Sequence, residues 1–225
     1  MYKRQGFRPC IWYTEEYQRM FDLMTESVLK DKTLKEKFKN IKKIYFSRRK
    51  FGKAAATEFG EEYIEQCFNQ NGYESLGPET LTLREQIYVW NHAEAIACMN
   101  GTIPLNVVFC KNEKLKLTIL NKMSIYHKNP YIYLYMRNIQ AEFIDIYKEP
   151  LKGYPKSLGE GPYLIKTGKE FFHYCQREKF EIPYTGMKLK FYDLKQEIRY
   201  YLCVIGIGNK IRRVGSYIKR KMLRR

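Results

Sequence analysis

Hydrophobic and polar residues follow two different periods along the chain, and their order predicts the fold. Thr14 is a residue type that caps helices, and apolar residues at helical spacing after it predict a long amphipathic helix running toward Leu34. Short apolar or alternating runs predict strands at 43–47, 73–76, 94–99, 115–120 and 141–147. Helical patterns separate these runs, at 61–71, 82–92, 104–109 and 131–136. This alternation predicts an α/β fold, a Rossmann-like and mostly parallel sheet with helices on both faces.

The remaining segments divide the chain into three parts. SRRKFGKAAATE after the first strand is predicted as a polar loop, 151–162 as a Gly- and Pro-rich loop, and 166–178 as a helix. From Met187 onward we expect two basic amphipathic segments hinged near Gly206 and Gly208. The predicted parts are an N-terminal segment with the long helix, a Rossmann-like domain, and basic C-terminal helices, at 1–40, 41–186 and 187–225.

Composition narrows the class of protein. The six cysteines form no CxxC pair, and none lies at metal-ligand spacing from a histidine, so we expect reduced thiols and no metal site. No apolar stretch approaches the roughly 20 residues that cross a bilayer, and the N-terminus lacks the order of a secretory signal. A cytoplasmic location is therefore predicted.

The net charge of +17 fits three kinds of partner: nucleic acid, anionic lipid and phosphorylated small substrates. Residues 209–225 carry eight basic and no acidic side chains, with apolar residues interleaved at helical spacing. This pattern is typical of a helix on an anionic membrane surface, with Tyr200–Ile205 dipping into the lipid interface, although a solvated basic terminus is the alternative. Nucleic-acid binding is the less favoured hypothesis, because no nucleic-acid motif accompanies the charge.

Four short motifs follow one another between Ser47 and Phe109. The first is a strand ending in Ser-Arg with a basic residue and a Glu behind it, and the second is a Gly-aromatic strand ending in Pro-Glu. The third is Leu-Thr-Leu-x-Glu-Gln-Ile, and the fourth is a small apolar strand running into a glycine turn and an Asn. Here they read KIYFSRRKFGKAAATE, NGYESLGPE, LTLREQI and EAIACMNGTIPLNVVF. In this order they resemble glycosyltransferase family 61, whose bacterial members help build capsules and other surface glycans.

The resemblance implies half of a GT-B fold. In such enzymes two Rossmann-like halves face a cleft, and the C-terminal half, here 41–186, holds the donor nucleotide. Residues 1–42 are too few for the acceptor-binding half, which predicts a truncated chain. Residues 1–5 also resemble the translated end of a transposase adapter used in sequencing libraries, although a genuine basic N-terminus is the alternative.

The same resemblance implies a diphosphate site. Arg48, Lys53, Gly101 and Thr102 are the candidate diphosphate-binding residues. A guanidinium after a strand can bind phosphate bidentately, and a helix start offers backbone N–H groups to an anion. The matched segment has no Asp-x-Asp pair, so we expect a metal-independent enzyme without a cofactor. The alternatives are a solvated basic loop at 48–53 and plain helix capping at Gly101-Thr102.

Supporting roles fall to five further residues: Ser47, Glu58, Glu85, Gln86 and Asn106. Glu85 and Gln86 open a helix near the expected nucleoside, although Glu85 can equally be the capping-box partner of Thr82. Glu58 is placed to orient Arg48 or Lys53.

The chain departs from the family pattern at three places. Lys53 replaces an Arg, Thr57 replaces an Asn, and the turn at 100–104 reads Asn-Gly-Thr-Ile-Pro, followed by Leu105 where some members have a His. No catalytic residue is assigned.

The predicted function is transfer of a sugar from a nucleotide-sugar donor to a surface-polysaccharide or lipid-linked acceptor at the inner face of the cell membrane. The alternatives are an inactive nucleotide-sugar-binding fragment or pseudoenzyme, and the nucleic-acid-binding protein.

Overall fold

A five-stranded sheet forms the centre of the protein. The computed structural model describes residues 13–125, 128–149, 159 and 161–206. The strands of this sheet and of a second, two-stranded sheet are β1 Lys43–Phe46, β2 Glu58–Phe59, β3 Glu74–Leu76, β4 Ala95–Met99, β5 Lys116–Asn121, β6 Ala141–Asp145 and β7 Tyr163–Leu164. The α-helices are α1 Glu15–Leu29, α2 Lys32–Phe38, α3 Gly52–Thr57, α4 Glu61–Gln70, α5 Leu83–His92, α6 Pro130–Met136, α7 Lys169–Arg177 and α8 Gly186–Val204. Two 3₁₀ segments span Pro78–Thr80 and Ile103–Phe109.

The sheet is parallel throughout, in the order β3-β1-β4-β5-β6. Ile44 of β1 pairs with Glu74 of β3 on one side and with Ile96 of β4 on the other. All five residues of β4 are buried, as expected for a central strand covered on both faces. The parallel α/β fold predicted from the alternation is confirmed, with β1 and β4 adjacent near its centre.

Helices cover both faces of the sheet, as predicted. Ile44 and Phe46 point to one face, where α1, α2, α5, the Ile103–Phe109 segment and α6 contribute to one apolar core. Tyr45 points to the other face, against α4, α7 and the start of α8. Val28 of α1 belongs to the first core, so the N-terminal helices pack directly on the sheet.

Two expectations about the first sixty residues are wrong. The long helix ends at Leu29, and Asp31 caps a new helix by accepting hydrogen bonds from the backbone N–H groups of Thr33 and Leu34. The predicted polar loop after β1 contains α3, and β2 follows it directly. This two-residue strand pairs with β7, more than a hundred residues away, in a small second parallel sheet.

The C-terminal helix α8 packs on this small sheet. Tyr200 is fully buried against Phe59 and Leu164, with Tyr201 and Val204 partly buried beside it. The expectation that Tyr200 dips into lipid is therefore wrong. The expectations for residues 1–5 and 209–225, and for a hinge at Gly208, lie outside the described residues. Within the described part of the chain, no helix is long and apolar enough to span a bilayer.

Candidate functional site

Polar side chains follow the carboxyl ends of neighbouring strands in the sheet. Arg48 comes two residues after β1, Asn100 and Gly101 directly follow β4, and Lys122 directly follows β5. The carboxyl ends of parallel strands lie along one edge of a sheet, which is where ligands bind in open α/β folds. These residues therefore define the candidate site.

Arg48 and Gly101 are close neighbours at this edge. A Cβ built on Gly101 would lie 3.7 Å from Nη1 of Arg48. Nη2 of Arg48 lies 3.2 Å from Oε1 of Glu58, and the arginine side chain keeps 19% exposure. Its Nε is buried and has no hydrogen-bond partner among the described residues. The guanidinium is thus fixed on one side and faces the glycine turn on the other.

Glu58 is shared between two cations. Nζ of Lys122 donates to its Oε1 over 2.7 Å, and the side chains of Lys122 and Glu58 are only 1% and 2% exposed. The ammonium also lies 4.1 Å from the ring centroid of Tyr163. Burial lowers the pKa of Lys122, while the charge of Glu58 opposes this shift. With Arg48, the group holds two cations for one carboxylate, which favours an anion at its open side.

Lys122 was not predicted from the sequence. The signal that could have found it is a lysine placed directly after a strand pattern, because that position lies at the carboxyl edge of a parallel sheet. Its partner Glu58 was predicted to support Arg48, and the structure shows that the carboxylate pairs with Arg48 and Lys122. The sequence could not show the second pair, since 64 positions separate the partners.

Glu61 is a second buried carboxyl group beside the site. Its Oε1 accepts a hydrogen bond of 2.9 Å from the backbone N–H of Arg48 and one of 3.1 Å from the hydroxyl of Tyr45. Burial raises the pKa of Glu61 to about 7, and the nearby charge of Glu58 adds to the effect. Near neutral pH this group therefore carries only part of a negative charge, and the site stays more positive.

The other predicted diphosphate residues are less tightly placed. The ammonium of Lys53 is exposed and donates to the carbonyl oxygen of Gly159 over 3.1 Å. Thr102 is exposed and makes no side-chain capping bond within the described residues, and the helix after it is a seven-residue 3₁₀ segment. Ser47 is buried, and its hydroxyl accepts from the backbone N–H of Arg49. The structure thus joins Arg48 to Gly101 and leaves Lys53 and Thr102 at the periphery.

A separate polar cluster joins α5 to the Ile103–Phe109 segment. Nδ2 of Asn106 donates to Oε1 of Gln86 over 2.7 Å, and Nε2 of Gln86 donates to the carbonyl oxygen of Pro78 over 3.0 Å. Glu85 forms the capping box with Thr82 and also pairs with Lys37. The pKa of Glu85 is lowered to about 2, and the hydrogen bond from Lys37 makes the largest contribution to this shift. Both oxygens of this carboxylate are therefore bound within the chain.

An amide chain fixes the turn that carries Gly101. Nδ2 of Asn100 donates to Oδ1 of Asn121 over 2.7 Å, and Nδ2 of Asn121 donates to Oδ1 of Asp145 over 2.8 Å. The ends of β4, β5 and β6 are thereby tied together. Because a carboxylate only accepts, Asp145 sets the orientation of both amides.

The histidines and cysteines that the structure describes take no part in this site. Burial lowers the pKa of His92, and its ring stacks on Tyr88 of the same helix. The five described cysteines are free thiols. Across the described ranges, no three His, Cys, Asp or Glu side chains are grouped so that they could hold a metal ion.

Comparison with known families agrees with the motif resemblance. The family model described as Glycosyltransferase 61 matches residues 10–118. No curated protein matches the chain significantly. The matched segment contains Arg48, Glu58, Glu61 and Gly101, and it ends shortly before Lys122. This matched segment, just under half of the chain, is similar to glycosyltransferase family 61, which supports a sugar-transferring enzyme.

Proposed function

We propose that the carboxyl edge of the sheet binds the diphosphate of a nucleotide-sugar donor and that the enzyme transfers its sugar to a surface-polysaccharide acceptor. The observation that carries this proposal is the position of the Arg48 guanidinium beside the Gly101 turn, backed by the buried Glu58–Lys122 pair. A guanidinium fixed beside a glycine turn suits a phosphate, because glycine has no side chain of its own to keep an anion from its backbone.

Sugar transfer builds negative charge on the departing diphosphate. As the bond between the anomeric carbon and the phosphate oxygen breaks, its electron pair stays on that oxygen. Preorganised donors that face this oxygen lower the barrier. In this proposal Nη1 of Arg48 and the backbone at Gly101 are the donors, with Thr102 and Lys53 in outer positions. Fixed cations, without a metal ion, carry the charge.

Glu58 and Lys122 act as positioning residues. Glu58 holds one side of the Arg48 guanidinium, so that the other side stays turned to the ligand. Lys122 pairs with Glu58 and adds a buried positive charge beside the site. The Gln86–Asn106 pair supports the neighbouring wall, on the side where the nucleoside is proposed to lie, and Glu85 caps the helix there.

The acceptor is proposed to be a glycan on a lipid carrier at the inner face of the cell membrane. Residues 209–225, with eight basic side chains, are proposed to hold the enzyme to anionic lipid.

The function is tested by titrating the full chain with UDP, GDP, ADP and inorganic pyrophosphate in a calorimeter, and by following nucleoside diphosphate release from the matching nucleotide-sugars. We expect one nucleoside diphosphate to bind more tightly than pyrophosphate, and its sugar conjugate to be consumed when an acceptor is added. Binding without turnover would favour the inactive nucleotide-sugar-binding alternative. Absence of binding to every nucleotide would refute the proposed donor site.

A further inference from the structure

Helix α8 has two faces of opposite character. Its inner face is buried, with Leu189, Gln196 and Tyr200 against the body of the protein. Its outer face and the residue just after its end carry large apolar side chains that are 52–65% exposed: Met187, Phe191, Leu194, Ile198 and, after the helix, Ile205. At 3.6 residues per turn these five positions fall on one side of the helix, opposite the buried residues. They are called the apolar stripe of α8.

The acidic and basic residues of α8 differ in exposure. Its acidic residues, Asp193 and Glu197, are partly buried, and both pair with Lys166. The exposed charged side chains of α8 are all basic: Lys188, Lys190, Lys195 and Arg199. Helical spacing places Lys188 and Lys195 on one flank of the apolar stripe and Lys190 on the other. An apolar stripe with basic flanks is the pattern of a helix lying at an anionic lipid interface.

We propose that the apolar stripe of α8 docks on an anionic membrane surface, with its apolar side chains at the headgroup boundary and the flanking lysines on lipid phosphates. This inference rests on the membrane part of the proposed function. It adds helix α8 of the folded body to residues 209–225 as a second lipid-binding part of the chain. It also replaces Tyr200, which is buried in the core, with residues that are exposed.

Charge complementarity selects lipid over a second copy of the chain. The spacing of the apolar stripe would also suit packing against another helix. A second copy, however, would bring the same basic flanks and a net charge of +17 to the contact. Anionic lipid neutralises these charges, and the basic run of 209–225 begins soon after α8 ends.

The inner face of α8 and its Arg199 flank border residues that support the candidate site. Gln196 and Arg199 line a cavity of about 180 Å³ together with Glu58 and Glu61. Docking of the outer face would therefore bring Glu58 and Glu61, which support the site, to the lipid-facing side of the protein. A lipid-linked acceptor would then meet the donor without leaving the membrane.

The test is flotation of the full chain with vesicles of phosphatidylcholine, with or without phosphatidylglycerol. The variant is Phe191→Gln/Leu194→Gln/Ile198→Gln, which keeps good helix formers on exposed positions. The matched control is Leu83→Gln, because Leu83 and Leu194 are both 52% exposed on helices. We expect the triple variant to bind anionic vesicles at least about ten-fold more weakly, and the control to differ from the parent by less than about two-fold. Circular dichroism checks that the fold is kept.

Three results would overturn the proposal. The parent chain fails to bind anionic vesicles, the triple variant binds as well as the parent, or the apolar stripe proves to be a contact between copies. The last would appear as a dimer in sedimentation velocity that the triple variant dissociates, without vesicle binding. Titration of the same proteins with nucleoside diphosphates separates the two proposals. Vesicle binding that depends on the apolar stripe, in a chain that binds no nucleotide, would support this surface and refute the donor site.

Discussion

Replacement of Lys122 with methionine tests whether the buried ion pair organises the site. Methionine keeps a long flexible chain against the Tyr163 ring but removes the ammonium that lies 2.7 Å from Glu58. The Glu58 carboxylate then loses one of its two cations while it stays buried. Arg48 remains 3.2 Å from the same oxygen and compensates in part.

The expected cost follows from this geometry. Removing one partner of a buried ion pair costs about 3–5 kcal/mol, and the remaining contact with Arg48 places Lys122→Met near about 3 kcal/mol. Urea unfolding at neutral pH, followed by circular dichroism, measures this change. Lys50→Met is the matched control, because Lys50 is exposed on the same edge of the protein, and it should change stability by less than about 0.5 kcal/mol.

A second variant separates charge from packing. Glu58→Gln combined with Lys122→Met removes the buried carboxylate that has lost its lysine partner, so the double variant should be more stable than Lys122→Met alone. A loss below about 1 kcal/mol for Lys122→Met would refute the reasoning, since the pair would then contribute no more than a surface ion pair. The reasoning would also be refuted if the double variant were no more stable than Lys122→Met.

Two further predictions concern Glu61 and Gly60. Because burial raises the pKa of Glu61 to about 7, the native state favours the protonated acid and loses up to about 3 kcal/mol as the pH rises from the unfolded value of 4.5 through 7. Glu61→Gln should remove this loss, which urea unfolding at pH 5 and pH 8 measures; equal pH dependence in both proteins would contradict the prediction. Gly60→Ala should destabilise by more than about 3 kcal/mol, because φ is +108° and the added Cβ would lie 2.2 Å from the carbonyl oxygen of Ile165. Gly72→Ala, at φ +81° with no described atom within 4 Å, should cost only about 1 kcal/mol, so equal thermal shifts would disprove the steric reason.

The sequence predicts those parts of the fold that depend on local patterns. The buried runs at 43–47 and 94–99 have the length and composition of central strands, and both form them. Thr14 and the Thr82–Glu85 pair mark helix starts because their side chains satisfy backbone N–H groups within one turn. The parallel arrangement follows from the helices between the strands.

Long-range features were not visible in the sequence. A two-residue strand such as β2 has too few residues for a period, and its existence depends on β7. The break between α1 and α2 depends on Asp31, whose caps compete with helix continuation. The pairing of Glu58 with Lys122 arises only when β2 and the end of β5 meet in space. The motif resemblance identified Arg48 and Gly101, but their proximity depends on β1 and β4 being neighbours.

The contact between Arg48 and the donor diphosphate is the central claim, and one kinetic comparison tests it most directly. The full chain, Arg48→Ala and Arg49→Ala are compared by kcat/KM for nucleoside diphosphate release from the donor. Arg49 is the matched control, because this exposed neighbour pairs with Glu62 and Glu65 on α4.

Arg48→Ala should lose about 2–4 kcal/mol of transition-state stabilisation, which is the range for removing one preorganised donor. Lys53→Ala should lose less, and Arg49→Ala should stay within about two-fold of the parent. A folded Arg48→Ala variant with unchanged kcat/KM would contradict the account.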